Sequence, residues 1–570
     1  MSALHTIPGL STRLVPGGRS GSPRPRRLRD INTRGECPRQ SVLALLEEHA
    51  QRHPLNRALV MLDGEKTRAV TYVELAQRVK GVAAWLTARF PEGGESIAIL
   101  SESSPAWGIV ALATIASRNV LVPLDTSMER DALDKTLRSS RPGILFASQS
   151  FFETVKALVD EGAPVAEALC LDDSRVNVPL PDPLPEAAVS SSIKPTPGTA
   201  LMAFTSGTTA APKAVEISFD NLLYQIRALT RRFALRPSDR LLSLLPMHHM
   251  FEFTVGFLCP LWAGAQVHYL HSLLPDDALD QIRGLGITRV VTVPAWLGLL
   301  RRTLERKAGD GSAGPSSRSH QRTRARGAFG NDFEHFVSGG APLADELADF
   351  FEAVGAPVVQ GYGLTETGPV VATNAMGKIR RGSVGWLLDG TETRIAADGE
   401  ILVRGPQVAS FYRLDTGAAK SVSDDKGWFH TGDRGHTDGD GFLYVTGRIK
   451  STIVLANGKN VEPEEIEACL QDCDAVTEAG VIGLGDGNSV PGEEICLVAV
   501  PAQAFRGACS EPDGDVEQAL LGRIRAALAS LAPHKRPSRV ILRDQPLPRT
   551  ATGKVRRPAL TEWALGESRS

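Results

Sequence analysis

Residues 204–215 read FTSGTTAAPKAV, with hydroxyls at Thr205, Ser206, Thr208 and Thr209, Gly207 among them and Lys213 near the end. Clustered hydroxyls and backbone N–H groups beside a lysine suit a polyphosphate, whose oxygens accept hydrogen bonds and whose charge needs neutralising. The stretch is not a Walker loop, because that pattern needs a second glycine directly before Lys-Ser/Thr and a helix directly after it. A polar hairpin turn has the same composition, so taken alone the stretch fits phosphate binding and a plain turn about equally well.

Strand-like runs flank this loop: LMAF precedes it, and VEISF follows with Val215, Ile217 and Phe219 alternating at period two before a helical run near Asp220. From about residue 40, helical and strand patterns alternate through SVLALLEEHAQRH, YVELAQRVKGVAAWLTARF, SIAIL, WGIVALATIASR, NVLVPL, DRLLSLLP, ITRVVTVP and APVVQGYG. That alternation predicts layered α/β structure around mainly parallel sheets. After residue 380 short strands with Asp-Gly turns at 398–399 and 440–441 predict a β-rich subdomain, and a compact α/β unit follows from about 451. The stretch 308–326, rich in Gly, Ser and Arg, reads as a mobile surface insertion.

A chain of 570 residues is too long for one ordinary core, so at least two domains are expected. With 63 basic and 65 acidic residues the formal charge is −2, which gives no reason to expect nucleic acid as a partner. Seven scattered cysteines do not form a disulfide framework, and Cys469 with Cys473 share a helix face without further ligands, so a reducing compartment is expected and zinc is not. The longest apolar stretch, 253–270, is broken by Pro260 and two glycines and reads as a buried helix running into a strand, leaving at most peripheral membrane contact. Residues 1–38 read as a disordered Arg/Pro/Gly-rich tail; a cytoplasmic protein is expected, although a transit peptide would share the arginines.

Four further stretches join the opening loop: LPMHHMFEF at 245–253, SGGAPL with QGYGLTET at 338–367, WFHTGD with GFLYVTGRIK at 428–450, and PRTATGK at 548–554. In that order, and across roughly residues 40–565, they resemble the adenylate-forming superfamily, closest to long-chain acyl-CoA synthetases. The resemblance implies a large N-terminal AMP-binding domain over 39–449 and a small mobile C-terminal α/β domain over 450–570, hinged at Lys450. It also implies ATP, Mg²⁺ and coenzyme A, and the activation of a medium- or long-chain fatty acid to acyl-AMP followed by transfer to the thiol.

The roles implied by the resemblance fall on types suited to them. Thr205, Ser206, Gly207, Thr208, Thr209 and Lys213 hold the β- and γ-phosphates, Thr365 contacts the α-phosphate, and Glu366 offers Mg²⁺ a hard oxygen ligand. Gly339, Gly340 and Ala341 are small enough for a flat base to approach, Tyr362 offers it an aromatic face, and Asp433 and Arg448 take the ribose. Lys554 bridges carboxylate and α-phosphate during adenylation, His249 stands at the acyl entrance with His248 as a packing neighbour, and Gly458 lines the pantetheine tunnel. Phe251 and Phe253 are either tunnel lining or plain core. The alternative acceptor is a carrier-protein phosphopantetheine. Glu252 keeps an amino-acid adenylating enzyme in view, because such enzymes place an acid there. Ala210 and Ala214, usually glycines in the family, keep open a decayed regulatory protein. Oligomeric state is not legible.

Overall fold

The structure is a computed structural model that describes residues 40–63, 66–171, 198–205, 213–270, 272–309, 327–414, 416–455, 459–471, 473–485, 493–506, 514–549 and 555–567. Among these, a nine-stranded and an eight-stranded sheet make up the large part of the chain. In the first, Arg57–Asp63, Gln266–Tyr269, Arg240–Ser243, Arg289–Thr292, His335–Ser338 and Val358–Tyr362 run parallel in that spatial order. In the second, Glu167–Leu171, Ile144–Ser148, Ser96–Leu100, Val120–Pro123 and Thr199–Thr205 run parallel, and Lys213–Ser218 turns back antiparallel on the last of them.

Apolar helices fill the space between the sheets. The helix Pro105–Ala116 starts at Ser104, whose hydroxyl accepts from the Trp107 N–H at 3.2 Å, and every residue from Pro105 to Ile115 is buried. It touches strands of both sheets, so its apolar surface all round is the physical requirement of its place. The helix Tyr72–Arg89 is set by a capping box in which Thr71 and Glu74 satisfy each other's backbone N–H groups. The expected helix after residue 253 opens as a π-helix, Glu252–Leu258, and passes through Cys259–Ala263 into the strand Gln266–Tyr269.

The β-rich region forms a four-stranded antiparallel sheet of Glu392–Ile395, Glu400–Arg404, Phe429–Thr437 and Leu443–Arg448, with positive φ at Gly399 and Gly441 in the expected Asp-Gly turns. A three-stranded sheet, Val476–Gly485, Glu493–Pro501 and Arg539–Leu542, carries the core of the C-terminal region. One expectation fails there: the helix Pro463–Cys469 ends at Cys469, so Cys473 lies beyond it and the two thiols share no helix face. Among the described residues no helix is long and apolar enough to cross a membrane.

Candidate active site

Several of the stretches singled out in the sequence leave the carboxyl ends of parallel strands, where open α/β sheets bind their ligands. Arg240–Ser243 leads into LPMHHMFEF, His335–Ser338 into the SGGA turn, and Val358–Tyr362 into GLTET. From the other sheet, Thr199–Thr205 leads into the hydroxyl-rich loop and Val120–Pro123 into Asp125. The two groups of loops meet: the Met247 N–H donates to Ser103 Oγ at 3.0 Å, and His248 Nε2 lies 3.4 Å from Asp125 Oδ1.

Asp433 and Arg448 face each other across an antiparallel ladder, and Arg448 Nε lies 2.9 Å from Asp433 Oδ1. The second carboxylate oxygen accepts from the Tyr362 hydroxyl at 2.7 Å. Burial, and after it the adjacent carboxylate, raises the Tyr362 hydroxyl well above the ordinary tyrosine range, so it stays a donor. Asp433 is buried while Arg448 is half-exposed, so the carboxylate is held from two sides and the guanidinium paired with it keeps an exposed face. The small residues expected at the base also have local reasons to be small. Gly340 sits at φ +80°, and a Cβ on Gly339 would come within 2.9 Å of the Phe251 ring. The SGGA turn is therefore packed on the LPMHHMFEF segment, while Ala341 is half-buried beside it.

Glu366 stands in the short 3-10 turn Thr365–Thr367, with Thr365 beside it and Thr367 holding the turn through its hydroxyl and the Leu364 N–H at 2.9 Å. The buried Gln225 amide donates to the carbonyls of Thr367 and Val370 at 2.8 and 2.7 Å, anchoring that turn to the helix Phe219–Arg232. Glu366 Oε1 accepts from Tyr412 Oη at 3.1 Å, and the Lys213 ammonium lies 3.1 Å from the centroid of the same tyrosine ring.

Sequence reasoning missed Tyr412. Its strand, Phe411–Arg413, spans three residues with no chemical pattern, and only its antiparallel pairing with Lys213–Ser218 brings it to the site. That pairing is pinned by a buried ion pair, Arg413 Nε to Glu216 Oε1 at 2.7 Å.

In the LPMHHMFEF segment, burial and then the His249 ring push His248 down to about 3, and burial lowers His249 as well, so both rings are neutral near pH 7. The rings meet edge-on at 4.1 Å, and His248 touches Asp125, more than the simple packing expected of it. Phe253 is core, packed on Trp107 and Phe257, whereas Phe251 covers Gly339. Glu252 is fully buried, folded over Gly256 with Ser243 and the Leu245 N–H as polar neighbours, and burial raises its carboxyl to about 8.

Lys450 lies in the turn Ile449–Ser451, directly after Arg448. Thr205 pairs with Lys213 through the backbone ladder, and Ala214 lies in a regular strand, where its methyl is harmless. Ser206, Gly207, Thr208, Thr209, Ala210, Gly458, Lys554, the tail and residues 310–326 lie outside the described residues.

Residues 46–413 match the AMP-binding enzyme family, and residues 465–554 match the AMP-binding enzyme C-terminal domain. The chain belongs to the AMP-binding enzyme family. It is similar to a long-chain-fatty-acid–CoA ligase of Mycobacterium bovis, 29% identical over 515 residues that cover 82% of this chain and 83% of that one. An indoleacetate–CoA ligase of Aromatoleum aromaticum is 30% identical over 517 residues, covering 86% of this chain and 92% of that one. The crystal structure of ATP-bound MatB from Rhodopseudomonas palustris matches with a TM-score of 0.73 at 27% identity, covering 91% of this chain and 98% of that chain. The layered N-terminal sheets and the smaller C-terminal α/β region are thus the adenylate-forming fold.

Proposed function

We propose that this chain joins a medium- or long-chain fatty acid to coenzyme A through an acyl-adenylate. It is an acid–thiol ligase of the AMP-forming type, with ATP, Mg²⁺ and coenzyme A as its cofactors. The observations that support the site assignment are two runs of contacts, Lys213–Tyr412–Glu366 and Tyr362–Asp433–Arg448: the first holds a cation and a carboxylate suited to a hard metal ion, the second a carboxylate and a guanidinium suited to a sugar.

In the first step a substrate carboxylate oxygen attacks the α-phosphorus, the bond to the bridging oxygen breaks, and its electron pair leaves with pyrophosphate. Two anions must meet, so charge neutralisation and alignment are the main task. Thr205, Ser206, Gly207, Thr208, Thr209 and Lys213 hold the outer phosphates, and Thr365 holds the α-phosphate. Glu366 would hold Mg²⁺, which when bound neutralises phosphate charge. Gly339, Gly340, Ala341 and Tyr362 place the base, Asp433 and Arg448 the ribose, and Lys554 bridges the reacting anions. In the second step the thiol sulfur attacks the acyl carbon, the bond to AMP breaks, and the thiol proton passes to solvent.

The domain division proposed is a tail over 1–38, an AMP-binding domain over 39–449 and a C-terminal domain over 450–570 that turns at Lys450 between the steps. Gly458 then lines the thiol path. His249 stands at the acyl entrance as a neutral ring.

Two observations favour a fatty acid over an amino acid. The chain resembles a long-chain-fatty-acid–CoA ligase over most of both lengths. Glu252, which would face a substrate ammonium, is instead folded into the core and held protonated by burial near neutral pH, so it offers no anion. The test is AMP release with a panel of carboxylic acids, with and without coenzyme A, and identification of the thioester by mass. Turnover of aryl or amino acids alone would overturn the fatty-acid reading, and transfer only to a carrier-protein arm would replace coenzyme A as acceptor.

A further inference from the structure

Just beyond Lys450 the chain folds back onto the strands that carry Asp433 and Arg448. Across that ladder Asp433 faces Arg448 and Arg434 faces Gly447. Adjacent residues of a strand point to opposite faces, so Arg434 projects behind the sugar-binding pair. On that rear face lies Glu462, with Oε1 3.3 Å from Arg434 Nη1. Thr452 Oγ1 reaches both carboxylate oxygens, at 3.0 and 3.1 Å. The carboxylate rests on the backbone of Gly447, where any Cβ would collide with it.

The position of Lys450 in the chain gives this cluster its meaning. Thr452 and Glu462 both follow Lys450, and Thr452 also bonds back to the Arg448 carbonyl, its N–H at 3.0 Å and its hydroxyl at 2.9 Å, so it spans Lys450. Arg434 and Gly447 precede it and belong to the strands that grip the ribose. A turn at Lys450 that carries Glu462 away therefore breaks the Arg434–Glu462 pair and uncovers Gly447. With side chains only 21% and 15% exposed, the pair is shielded enough to weigh in a balance between two orientations, unlike a freely solvated surface pair.

We propose that Arg434 and Glu462 form a latch that holds the C-terminal domain in the orientation seen here, making Glu462 a positioning residue that apportions the enzyme between its two half-reactions. The inference rests on the reading of Lys450 as the hinge. Because the latch is built on Gly447 and Arg434, each one residue from a ribose-binding side chain, the orientation of the small domain and the grip on the nucleotide are mechanically joined.

The test compares the full-length wild type with Glu462→Gln, Arg434→Gln and Gly447→Ala; the last adds a methyl that expels the carboxylate without removing either charge. Two readouts are taken. Distance distributions are recorded between probes introduced at Lys420 and Ala526. Rates of acyl-adenylate formation and of thioester formation from supplied acyl-adenylate are measured separately. The latch requires all three variants to depopulate the same distance and to change the ratio of the two rates in the same sense by roughly five- to tenfold, the range of a pair worth about 1 kcal/mol. Combining Glu462→Gln with Arg434→Gln should add little to either alone. Unchanged distances, or an equal fall in both rates with a lowered melting temperature, would overturn the latch and leave the pair merely structural. The distances read the latch without any turnover, so a protein that adenylates no acid yet shifts its distances as expected would sink the proposed reaction and keep the latch.

Discussion

Tyr362 donates its hydroxyl to Asp433, 71 positions further along the chain, at 2.7 Å, while Arg448 reaches the other oxygen of the same carboxylate from the facing strand. The aromatic side chain expected to face a base is thus also the group that fixes the carboxylate proposed to bind the sugar.

Tyr362→Phe keeps the ring and removes that hydrogen bond. Since Arg448 still holds the carboxylate, the expected loss is about 1.5 kcal/mol, close to tenfold in kcat/KM for ATP, with the KM for the acid nearly unchanged. Steady-state kinetics with each substrate varied in turn check this; equal effects on ATP and acid would remove Tyr362 from the nucleotide subsite.

Asp433→Ala should cost more, roughly 1.5–3 kcal/mol, because it deletes the proposed sugar contact and leaves the largely buried Tyr362 hydroxyl without its acceptor. The measure is the KM for ATP in adenylation. Unchanged ATP kinetics would make Asp433 a turn residue only.

Tyr412→Phe frees Glu366 from its phenolic partner but leaves the ring beneath Lys213. A shift in the Mg²⁺ concentration for half-maximal adenylation, by about threefold to tenfold, is expected without a comparable change in melting temperature, on the scale of one hydrogen bond. Tyr412→Ala removes the ring as well and should weaken ATP binding further. A Mg²⁺ titration that does not move in either variant would separate Glu366 from the metal.

Arg413→Met leaves the buried Glu216, on the strand that follows the hydroxyl-rich loop, without its guanidinium partner. Breaking one side of such a pair destabilises by about 3–5 kcal/mol, whereas replacing both partners with apolar groups costs far less. Denaturant unfolding of Arg413→Met, Glu216→Leu and the double variant gives the comparison; additive single effects would show that the two side chains do not act as a pair.

Burial raises Glu252 from 4.5 to about 8, so between those values the folded protein holds a proton that the unfolded chain has released. Its contribution to stability is complete below about 4.5 and is lost as pH rises through 8. Burial lowers His248 to about 3 and His335 to about 4, from 6.5, and these act with the opposite sign, their contribution being lost as pH falls below 6.5. Above 6.5 the carboxyl term stands without theirs. Glu252→Gln should therefore gain melting temperature relative to wild type as pH is raised from 6.5 to 8.5, read by thermal unfolding across that range. A difference that does not change with pH would mean Glu252 is ionised in the folded protein.

Patterns contiguous in the chain set the local segments and their order. Alternation in VEISF marks the strand after the hydroxyl-rich loop, the Asp-Gly pairs mark turns whose glycines take positive φ, and the motif order marks the family because each motif is contiguous in the chain. Tertiary structure alone decided which segments meet. Tyr412 enters the site because a three-residue strand pairs with one lying some 200 positions earlier, a non-local hydrogen-bonding event with no periodic signature. The same holds for Asp125 beside His248 and for Glu462 behind Asp433 and Arg448. Glu252 shows the limit most directly. Its letter in the chain is that of an anion, and its burial against Gly256 and Ser243, a property of the folded core, makes it a neutral acid.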